Sequence, residues 1–478
     1  MHSLKEIQDK WQNKWQESKL FESNPDDREK FFLTFPYPYI NGYPHIGHLF
    51  TLMRVESFAR YKRLQGYNVL FPQGWHATGS PIVNAAKRVK AREEKQVKIM
   101  KDMGFSDEDL IKFEKPEYWL EFFAPVFKED WSKMGMSVDW RRSFYTTSLN
   151  PYYDKFIQWQ FKKLKEKGYV VKGRFPVVWD PVENNAVGDH ARSKGEGEAP
   201  QEFCLFKFRL DDSRYMITAT LRPDTLMGIT NVYVNPEETY SEIIVDGEHW
   251  IVGKPMIPKL QMQQFSLEDL GDVDGKTLVG QHVESIVGTK VPVLPATFLD
   301  SNYGSGMVHS VPSDSADDLI ALRNIQGDDE TLDMYNLDKE MVKSIEPIAI
   351  FDTPGYGEFP AQKFIEEHGV KSQNDRNKLD KIKKELYTLT FNKATFNEKY
   401  SQGFSQNLKG KLIKQGQDII KRDLLDQGKI NLFYELTGKV VSRALNECVV
   451  KIVDDQWFLD YNNPEWKKLA HECLEHMK

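Results

Sequence analysis

The stretch from residue 32 to residue 66 constrains the fold of this chain more than any other feature. It reads FLTFPYPYINGYPHIGHLFTLMRVESFARYKRLQG. The apolar run FFLTF, which starts one residue earlier, predicts a buried strand. The following PYPYINGYP predicts a rigid loop, because its prolines and its Asn-Gly pair can continue neither a strand nor a helix. The run from His45 to Gln65 predicts a helix, and Gly66 suits the position just beyond its end.

The predicted helix carries apolar side chains at positions that share one face. They are Ile46, Leu49, Phe50 and Met53, at i, i+3, i+4 and i+7. Side chains at this spacing lie above one another on a helix, so together they make one apolar face.

Two histidines occupy the first turn of this helix, with a glycine between them. A helix N-terminus offers free N–H donors and the positive end of a dipole, and both favour phosphate. His45 and His48 can donate hydrogen bonds to a phosphoryl oxygen as charge develops on it, and Gly47 lets a ligand approach the backbone. The alternative is a pair of solvated or core histidines, or half of a metal site. The strand, loop and helix around the motif favour the phosphate site.

Composition narrows the class of protein. The formal net charge of −7 argues against a generally sticky nucleic-acid binder, but it leaves room for local basic patches. One such patch is the lysine-rich segment 371–423, in which aromatic residues are interleaved. Three widely spaced cysteines cannot make a disulfide framework. Because neither a signal peptide nor a membrane-spanning run is evident, we expect a cytoplasmic protein.

The order of predicted elements divides the chain into three parts. Residues 1–195 alternate strand-like runs (FFLTF, NVLFPQG, VVWDP) with helices, as expected for a parallel α/β sheet whose ligand lies beyond the carboxyl ends of the strands. Residues 196–440 contain short β-type runs separated by turns, which predict a β-rich inserted domain. These runs are EFCLFKFRL, YMITATL, NVYVNP, WIVGKPM, TKVPVLPATFL and GMVHSVP. Residues 441–478 are predicted to return to the first domain.

Several motifs, in order, resemble one family. PHIGH preceded by FPYPYING resembles the HIGH signature of class I aminoacyl-tRNA synthetases, and the FPYPY form resembles the leucyl-tRNA synthetases of archaea and the eukaryotic cytosol. NVLFPQGWHATGSPI (68–82), VDWRRSFYTT (138–147), FIQWQFKKLKEKGYVVKGRFPVVWDP (156–181) and VGDHARSKGEGE (187–198) agree with it. The resemblance implies an α/β fold: the first half of a class I Rossmann-like parallel sheet, with an inserted β-rich editing domain.

The resemblance also implies an aminoacylation site. Leucine would be activated with ATP, Mg²⁺ would bridge the phosphates, and the leucyl group would pass to tRNA(Leu). The residues implied for the amino acid and its adenylate are Phe35, Tyr37, Pro38, Trp75, His76 and Thr78. Those implied for ATP are Asn41, His45, Gly47 and His48, of which the two histidines would be catalytic.

A second pair of motifs resembles the editing domain of the family. They are TATLRPDTLMGITNVYVNP (218–236) and GSGMVHSVPSDSADDLIAL (304–322). An apolar pocket separates leucine from a molecule one methylene different by only about 1–3 kcal/mol, so accuracy requires a second, hydrolytic pocket.

Roles in that pocket follow from the resemblance alone. Thr220 and Thr225 would exclude leucine, Arg222 would position the tRNA end, and Asp318 would bind the amino group of the wrong amino acid. Otherwise TATL is an ordinary strand and SDSADD a solvated helix cap. The sequence departs from the family at Leu221, at His309 and in the acidic run SDSADD (313–318). Such departures would weaken editing or change which amino acid is removed.

Two features of the family are not found in this sequence. It contains no KMSKS loop, since WSKMGMS (131–137) comes too early and lacks the second Lys-Ser. The Cys-x-Cys pair common in archaeal relatives is replaced by Ser442 and Ala444, and Cys448 alone cannot build a zinc site, so we expect no metal there.

Three functions remain open at this point. The first is the amino-terminal half of a leucyl-tRNA synthetase, with a second polypeptide supplying the KMSKS loop and the anticodon-side domain. The second is a free-standing hydrolase that clears mischarged tRNA. The third is a non-catalytic module that binds tRNA or a synthetase.

Overall fold

The structure is a computed structural model that describes residues 3–477, apart from the side chain of residue 80. The helices before residue 200 are α1 (Leu4–Glu17), α2 (Ile46–Leu64), α3 (Ser80–Lys90), α4 (Glu94–Asp102), α5 (Asp107–Lys112), α6 (Pro116–Lys133) and α7 (Pro151–Glu166). The strands there are β1 (Lys30–Phe32), β2 (Asn68–Leu70), β3 (Gln73–Trp75), β4 (Ser143–Tyr145), β5 (Val170–Asp180), β6 (Asn185–Ala186) and β7 (Arg192–Lys194).

Parallel strand pairs identify the first part as α/β. Strand β1 pairs with β2, and β3 pairs with β4, both in parallel. The predicted strand 31–35 is wrong in length and burial, because β1 ends at Phe32, whose side chain is 61% exposed beside a single neighbouring strand. The predicted strand 68–74 is two strands. Pro72, which has no N–H to give to a ladder, lies between them.

The core of this part is aromatic and centres on α6. This helix buries Trp119, Phe123, Phe127 and Trp131 along one side, at spacings of four residues. Pro116 at its first turn fits a helix start, because the missing N–H would have no partner there.

Helix α2 confirms the predicted helix, and part of its apolar face is exposed. Ile46 is 83% exposed and Phe50 63% exposed, whereas Leu52 is fully buried. The buried side also carries Glu56, whose carboxylate accepts hydrogen bonds from the N–H and the hydroxyl of Ser137. Helix α2 therefore has two apolar strips, and the one that packs on the core contains a paired carboxylate.

The middle of the chain is rich in strands. They are β8 (Gln201–Arg209), β9 (Arg214–Thr220), β10 (Asn231–Val234), β11 (Thr239–Val245), β12 (Glu248–Gly253), β13 (Leu267–Asp274), β14 (His282–Glu284), β15 (Lys290–Pro295), β16 (Met307–Ser310), β17 (Phe351–Asp352), β18 (Thr395–Phe396) and β19 (Ile430–Glu435). Its helices are α8 (Met256–Met262), α9 (Gly275–Leu278), α10 (Ala316–Gly327), α11 (Asp329–Met334), α12 (Lys339–Lys343), α13 (Pro360–His368), α14 (Arg376–Lys393) and α15 (Ile413–Asp426).

Ten of these strands form one sheet within the described residues. Their order is β13-β11-β12-β9-β8-β14-β15-β10-β16, and β19 pairs with β8. All six predicted β-type runs of this part overlap strands of the sheet, which confirms a β-rich insertion in an α/β fold. Short strands of this kind are enriched in the β-branched and aromatic residues that suit a pleated surface.

The chain then returns through β20 (Val441–Ser442), β21 (Val449–Leu459) and α16 (Pro464–Glu475). Strand β20 pairs with β7, and β21 pairs with β5 along most of its length, both antiparallel. The predicted strand VVWDP therefore exists within β5, but it belongs to an antiparallel ribbon and not to the parallel sheet. No helix within residues 3–477 combines the length and the apolar character needed to span a bilayer.

Candidate functional sites

The two histidines of the first motif stack on each other at the start of α2. His45 is the N-cap residue, and its Nδ1 accepts the N–H of Gly47 at 3.1 Å. The His45 N–H donates to Nδ1 of His48 at 3.4 Å, and the ring centroids are 3.9 Å apart. A side chain on Gly47 would begin 3.0 Å from the His45 ring, so glycine is what allows this stack.

The stack determines which atom of His48 can act. Burial, and then the charge of His45, lower the pKa of His48, which favours a neutral ring. A neutral imidazole that accepts at Nδ1 carries its proton on Nε2. Nε2 of His48 is therefore the donor available to a phosphoryl oxygen. The N–H of Gly47 becomes available only when the His45 ring moves.

Phe127 joins the histidines to the second half of the predicted site. Its ring lies edge-on to His48 at 5.5 Å and to Trp75 at 5.9 Å. Trp75 is 4% exposed and also packs against Trp131. Phe35 is 3% exposed and meets Trp131 edge-on at 5.7 Å. Phe35 and Trp75 thus form the floor beneath the site, and more exposed side chains lie above them.

Two contacts connect the proline loop to the strand end that faces it. The N–H of His76 donates to the Pro38 carbonyl at 3.0 Å. The Tyr37 ring lies on Gly74, where an added Cβ would be 2.8 Å from the ring. Tyr39, which sequence reasoning missed, places its ring 3.9 Å from that of His76. The aromatic-proline alternation PYPYI was the available signal.

Asn41 and Thr78 are less constrained. Asn41 is half-buried and Thr78 is exposed, and neither side chain makes a hydrogen bond within residues 3–477. Among the residues predicted for this site, direct contacts link His45, Gly47 and His48, and link Pro38 to His76. Tyr37 contacts Gly74, which was not predicted.

Strand pairing brings the two motifs of the insertion together. Strands β10 and β16 are antiparallel, with Val232 opposite His309. Nδ1 of His309 hydrogen-bonds the hydroxyl of Thr218 at 2.7 Å, and its ring stacks on Phe206 at 5.0 Å. Burial lowers the pKa of His309 to about 4, so the ring is neutral at pH 7. His309, in the second motif, therefore contacts the first motif as an uncharged group.

A tight turn holds Thr220, Arg222 and Thr225 side by side. The Arg222 N–H donates to Oγ1 of Thr220 at 2.9 Å, and the Thr225 hydroxyl donates to the Arg222 carbonyl at 2.9 Å. The 3-10 helix Pro223–Gly228 follows directly. The turn thus fixes both threonine side chains relative to one arginine backbone.

Buried charges surround Arg222, and sequence reasoning missed them. Its guanidinium pairs with the fully buried Asp224 at 2.6 Å. Gln417 donates to Asp224 at 2.9 Å, and the Tyr400 hydroxyl donates to the Asp224 carbonyl at 2.5 Å. Burial raises the pKa of Asp314 to about 7, and Arg222 opposes this rise. The Arg-Pro-Asp spacing and the acidic run were the only signals of this cluster.

Asp318 lies in the first turn of α10. Its Oδ2 accepts the N–H of Val311 at 2.7 Å, and its N–H donates to Oγ of Ser315 at 3.3 Å. Burial raises its pKa to about 6. Within residues 3–477, no hydrogen bond or ion pair joins Asp318 to the turn that carries Thr220 and Arg222.

Hydrogen bonds surround Ser442 and Ala444, the two residues that replace the Cys-x-Cys pair in this sequence. Asn446 donates to both carboxylate oxygens of Asp180, at 3.2 and 3.1 Å. Ser442 Oγ accepts the N–H of Ala444 at 3.2 Å, and Cys448 lies nearby with its thiol 3.8 Å from the Asn446 carbonyl. Residues 3–477 contain no group of three or more His, Cys, Asp or Glu placed to hold a metal ion.

Comparison with known proteins agrees with the order of motifs. Residues 10–291 match the family model of class I tRNA synthetases for I, L, M and V. Because this match covers more than half of the sequence, the chain belongs to the class I tRNA synthetases.

Within that class the similarity is to leucine–tRNA ligases of archaea. The chain is 44% identical to that of Aeropyrum pernix and 41% identical to that of Pyrococcus furiosus, over 100% of this chain and 50% of each relative. It thus spans about half the length of the curated relatives it matches. A solved editing domain of the P. falciparum cytosolic leucyl-tRNA synthetase aligns with 49% of this chain and 99% of its own length, at TM-score 0.45 and 18% identity.

Proposed function

We propose that this chain activates leucine with ATP, attaches it to tRNA(Leu) and hydrolyses mischarged tRNA in the inserted region. The observation that carries the proposal is the stack of His45 on His48 at the start of α2, which leaves one defined N–H donor. The KMSKS loop and the anticodon-side domain would come from a second polypeptide or from the remainder of a longer one.

The boundaries of the domains are part of the proposal. Residues 1–195 form the first half of the catalytic domain, residues 196–440 form the editing domain, and residues 441–478 return to the catalytic domain. The pairing of β20 with β7 and of β21 with β5 supports this division. A cytoplasmic location is proposed with it.

Activation requires positioning more than covalent chemistry. The leucine carboxylate attacks the α-phosphate of ATP, and pyrophosphate leaves. Nε2 of His48 donates to the phosphoryl oxygen as its charge grows, and His45 orients that ring. Mg²⁺ would supply charge neutralisation on the phosphates. Because the described residues offer no carboxylate cluster, it would be held mainly by ATP and water, as Mg²⁺ commonly is.

Editing would use the turn and the acidic helix start on either side of the β10–β16 pair. Thr220 and Thr225 narrow the pocket against leucine, and Arg222 contacts the tRNA end. Asp318 binds the amino group of the wrong amino acid, and water is the nucleophile. Thr220 and Thr225 are suited to this role because hydrogen bonds to the Arg222 backbone hold them in place.

A free-standing hydrolase is the second candidate function. The ten-stranded sheet lies entirely between residues 201 and 435, so every proposed editing residue belongs to one contiguous region. The proposed leucine site, by contrast, lacks the KMSKS lysines. A chain that edits but does not activate leucine would have this second function.

The test uses the purified 478-residue chain with isoleucyl-tRNA(Leu) or norvalyl-tRNA(Leu). We expect deacylation at high enzyme concentration and low salt, since these 478 residues alone would make few phosphate contacts with the tRNA. Asp318→Ala should abolish it. Asp317→Ala is the matched control, because Asp317 is the neighbouring carboxylate and pairs with Arg376.

Thr225→Ala should let correctly charged leucyl-tRNA be attacked. Leucine-dependent pyrophosphate exchange, measured with and without a polypeptide that contains KMSKS, separates the two candidate functions. If the parent chain deacylates nothing under these conditions, or if Asp318→Ala is as active as the parent, the editing assignment is wrong and a tRNA-binding or synthetase-binding module takes its place.

A further inference from the structure

Helix α14 presents two strips of side chains with different roles. One strip is buried and consists of Leu379, Ile382, Leu386 and Thr390. The other, at four-residue spacing, consists of Lys383, Tyr387 and Phe391. Residues four apart lie above one another about 6 Å apart on a helix. The second strip is therefore a continuous row of a cation and two aromatic rings.

This row lies beside the proposed editing residues. The Tyr387 ring centroid is 5.1 Å from Cζ of Arg222. Lys383 lies close enough to Asp318 for its charge to lower the pKa of that carboxyl, against the larger effect of burial. Tyr387 is thus next to the turn of the first motif, and Lys383 is within electrostatic range of the helix start of the second.

Two members of the row, Lys383 and Tyr387, are available to a ligand. Tyr387 is 41% exposed, and its ring is parallel to that of Phe391 at a centroid distance of 5.8 Å. Lys383 is exposed and has no ion pair or hydrogen bond within residues 3–477. Its neighbour on the helix, Lys381, is 3.9 Å from Glu385. The free cation and the open ring are therefore the two that adjoin the editing residues.

An exposed aromatic ring beside an unpaired cation suits single-stranded RNA. Aromatic side chains stack on bases, and lysines neutralise phosphates. The 6 Å between neighbouring members of the row allows one nucleotide to touch both. A ring that only covers the Arg222–Asp224 pair would need neither exposure nor a free lysine one turn away.

We propose that Tyr387 stacks on the terminal base of the tRNA and that Lys383 binds an adjacent phosphate while the 3′ end lies in the editing pocket. This inference rests on the proposed editing function and deepens it. It gives the single-stranded end of the RNA a binding surface on α14, separate from the groups that recognise the amino acid.

The first experiment measures stacking directly with the full chain. tRNA(Leu) carries 2-aminopurine in place of its terminal adenine, because the fluorescence of this analogue falls when it stacks. We expect quenching on binding to the parent chain and to Tyr387→Phe. Tyr387→Leu keeps an apolar cover over Arg222 but removes the ring, so it should lose the quenching. Equal quenching with Tyr387→Leu would overturn the inference.

The second experiment measures deacylation kinetics and their salt dependence. Tyr387→Leu should raise KM for mischarged tRNA about tenfold with little change in kcat, the range for one lost base stack. Lys383→Ala should reduce the slope of log KM against log salt by about 0.7, the value for one phosphate contact on a single strand. Lys384→Ala, about 100° around the helix, is the matched control and should keep the parent slope.

These outcomes separate the inference from the proposed function. If Asp318→Ala abolishes deacylation while Tyr387→Leu and Lys383→Ala behave as the parent does, the inference is wrong and the editing function stands. If the parent quenches the probe but hydrolyses no mischarged tRNA, the RNA surface is supported and the editing function is wrong. A fall in kcat and melting temperature shared by Tyr387→Phe and Tyr387→Leu would overturn the inference in favour of a structural role.

Discussion

The site at the start of α2 and the site in the insertion differ in how completely their surroundings are built. Arg222 in the insertion pairs with the buried carboxylate of Asp224, to which a glutamine and a tyrosine also donate hydrogen bonds. His45 is exposed, and the helix that begins beside it leaves Ile46 and Phe50 uncovered. One site is enclosed by neighbours from several elements, and the other opens onto an apolar helix face.

The difference indicates which groups each chemistry needs from outside. Hydrolysis needs a pocket, water and a bound RNA end, and the proposed groups for these lie between residues 218 and 387. Phosphoryl chemistry needs charge stabilisation on the leaving phosphates, which is among the largest contributions to such a rate. In the family, lysines of the KMSKS loop supply it, so we expect the first site to depend on a partner segment and the second to act alone.

The largest expected effect comes from His48→Ala. We expect leucine-dependent pyrophosphate exchange to slow by about 10²–10³, the range for losing one preorganised donor, in an assembly that contains the KMSKS segment. His45→Ala should act similarly by releasing the His48 ring. Deacylation of mischarged tRNA serves as the control and should not change. An unaltered exchange rate would make the histidines structural and remove the contrast between the two sites.

The next largest effect is expected on the free energy of unfolding, from substitutions on the two faces of α2. Leu52→Ala should reduce the free energy of unfolding by about 2–5 kcal/mol, since Leu52 is fully buried. Phe50→Ala should change it by less than about 0.5 kcal/mol in the isolated chain, because Phe50 is mostly exposed. Urea unfolding measures both values. Comparable losses would mean that the Phe50 face is covered even without a partner.

The pH dependence of stability should reveal the buried acid of the insertion. Asp314 has its pKa raised from 3.8 to about 7 by burial, so the folded state holds a proton that the unfolded state has lost. The contribution of Asp314 to the free energy of unfolding is fully present below pH 4 and is gone above pH 7. Between these values it falls by at most about 1.4 kcal/mol per pH unit.

Asp314→Asn should remove this slope between pH 4 and 7. The measurement is the urea midpoint of parent and variant across that range, compared as a difference so that Asp318 and other acids cancel. An identical slope in the variant would show that Asp314 is ionised throughout. The proposed editing site would then be more open to solvent than the site at the start of α2 makes it look by comparison.

Sequence reasoning succeeded where the local pattern of residues determines the secondary structure. The β-type runs of the insertion matched strands because alternation and turn residues determine them locally. Helix α2 was found for the same reason. The side of α2 that is buried was not found, because Leu49 packs on the core while Phe50 does not. The sequence alone does not show which of two apolar strips packs on a core.

The sequence motifs predicted residues of the candidate sites, but they did not predict the buried groups that surround those residues. His45, His48, Thr220 and Arg222 stand out as letters in a pattern. Asp224 and Asp314 became notable only with their burial. The hydrogen bond of Thr218 to His309 spans 91 positions of sequence and joins β9 to β16, two strands that do not pair with each other in the sheet. Register between distant strands follows from the folded sheet, which no local window contains.

The pairing of Gln201 with Glu435 on neighbouring strands has a consequence for the folding of the whole chain. Neighbouring strands are about 4.7–4.9 Å apart, so the insertion leaves the rest of the molecule and returns to it at nearly the same point. A loop of that length would otherwise oppose closure through its entropy. Once β8 and β19 have paired, the flanking β5 and β21 meet as if joined by a short turn. The catalytic part can therefore fold almost as quickly as a chain from which the insertion had been deleted.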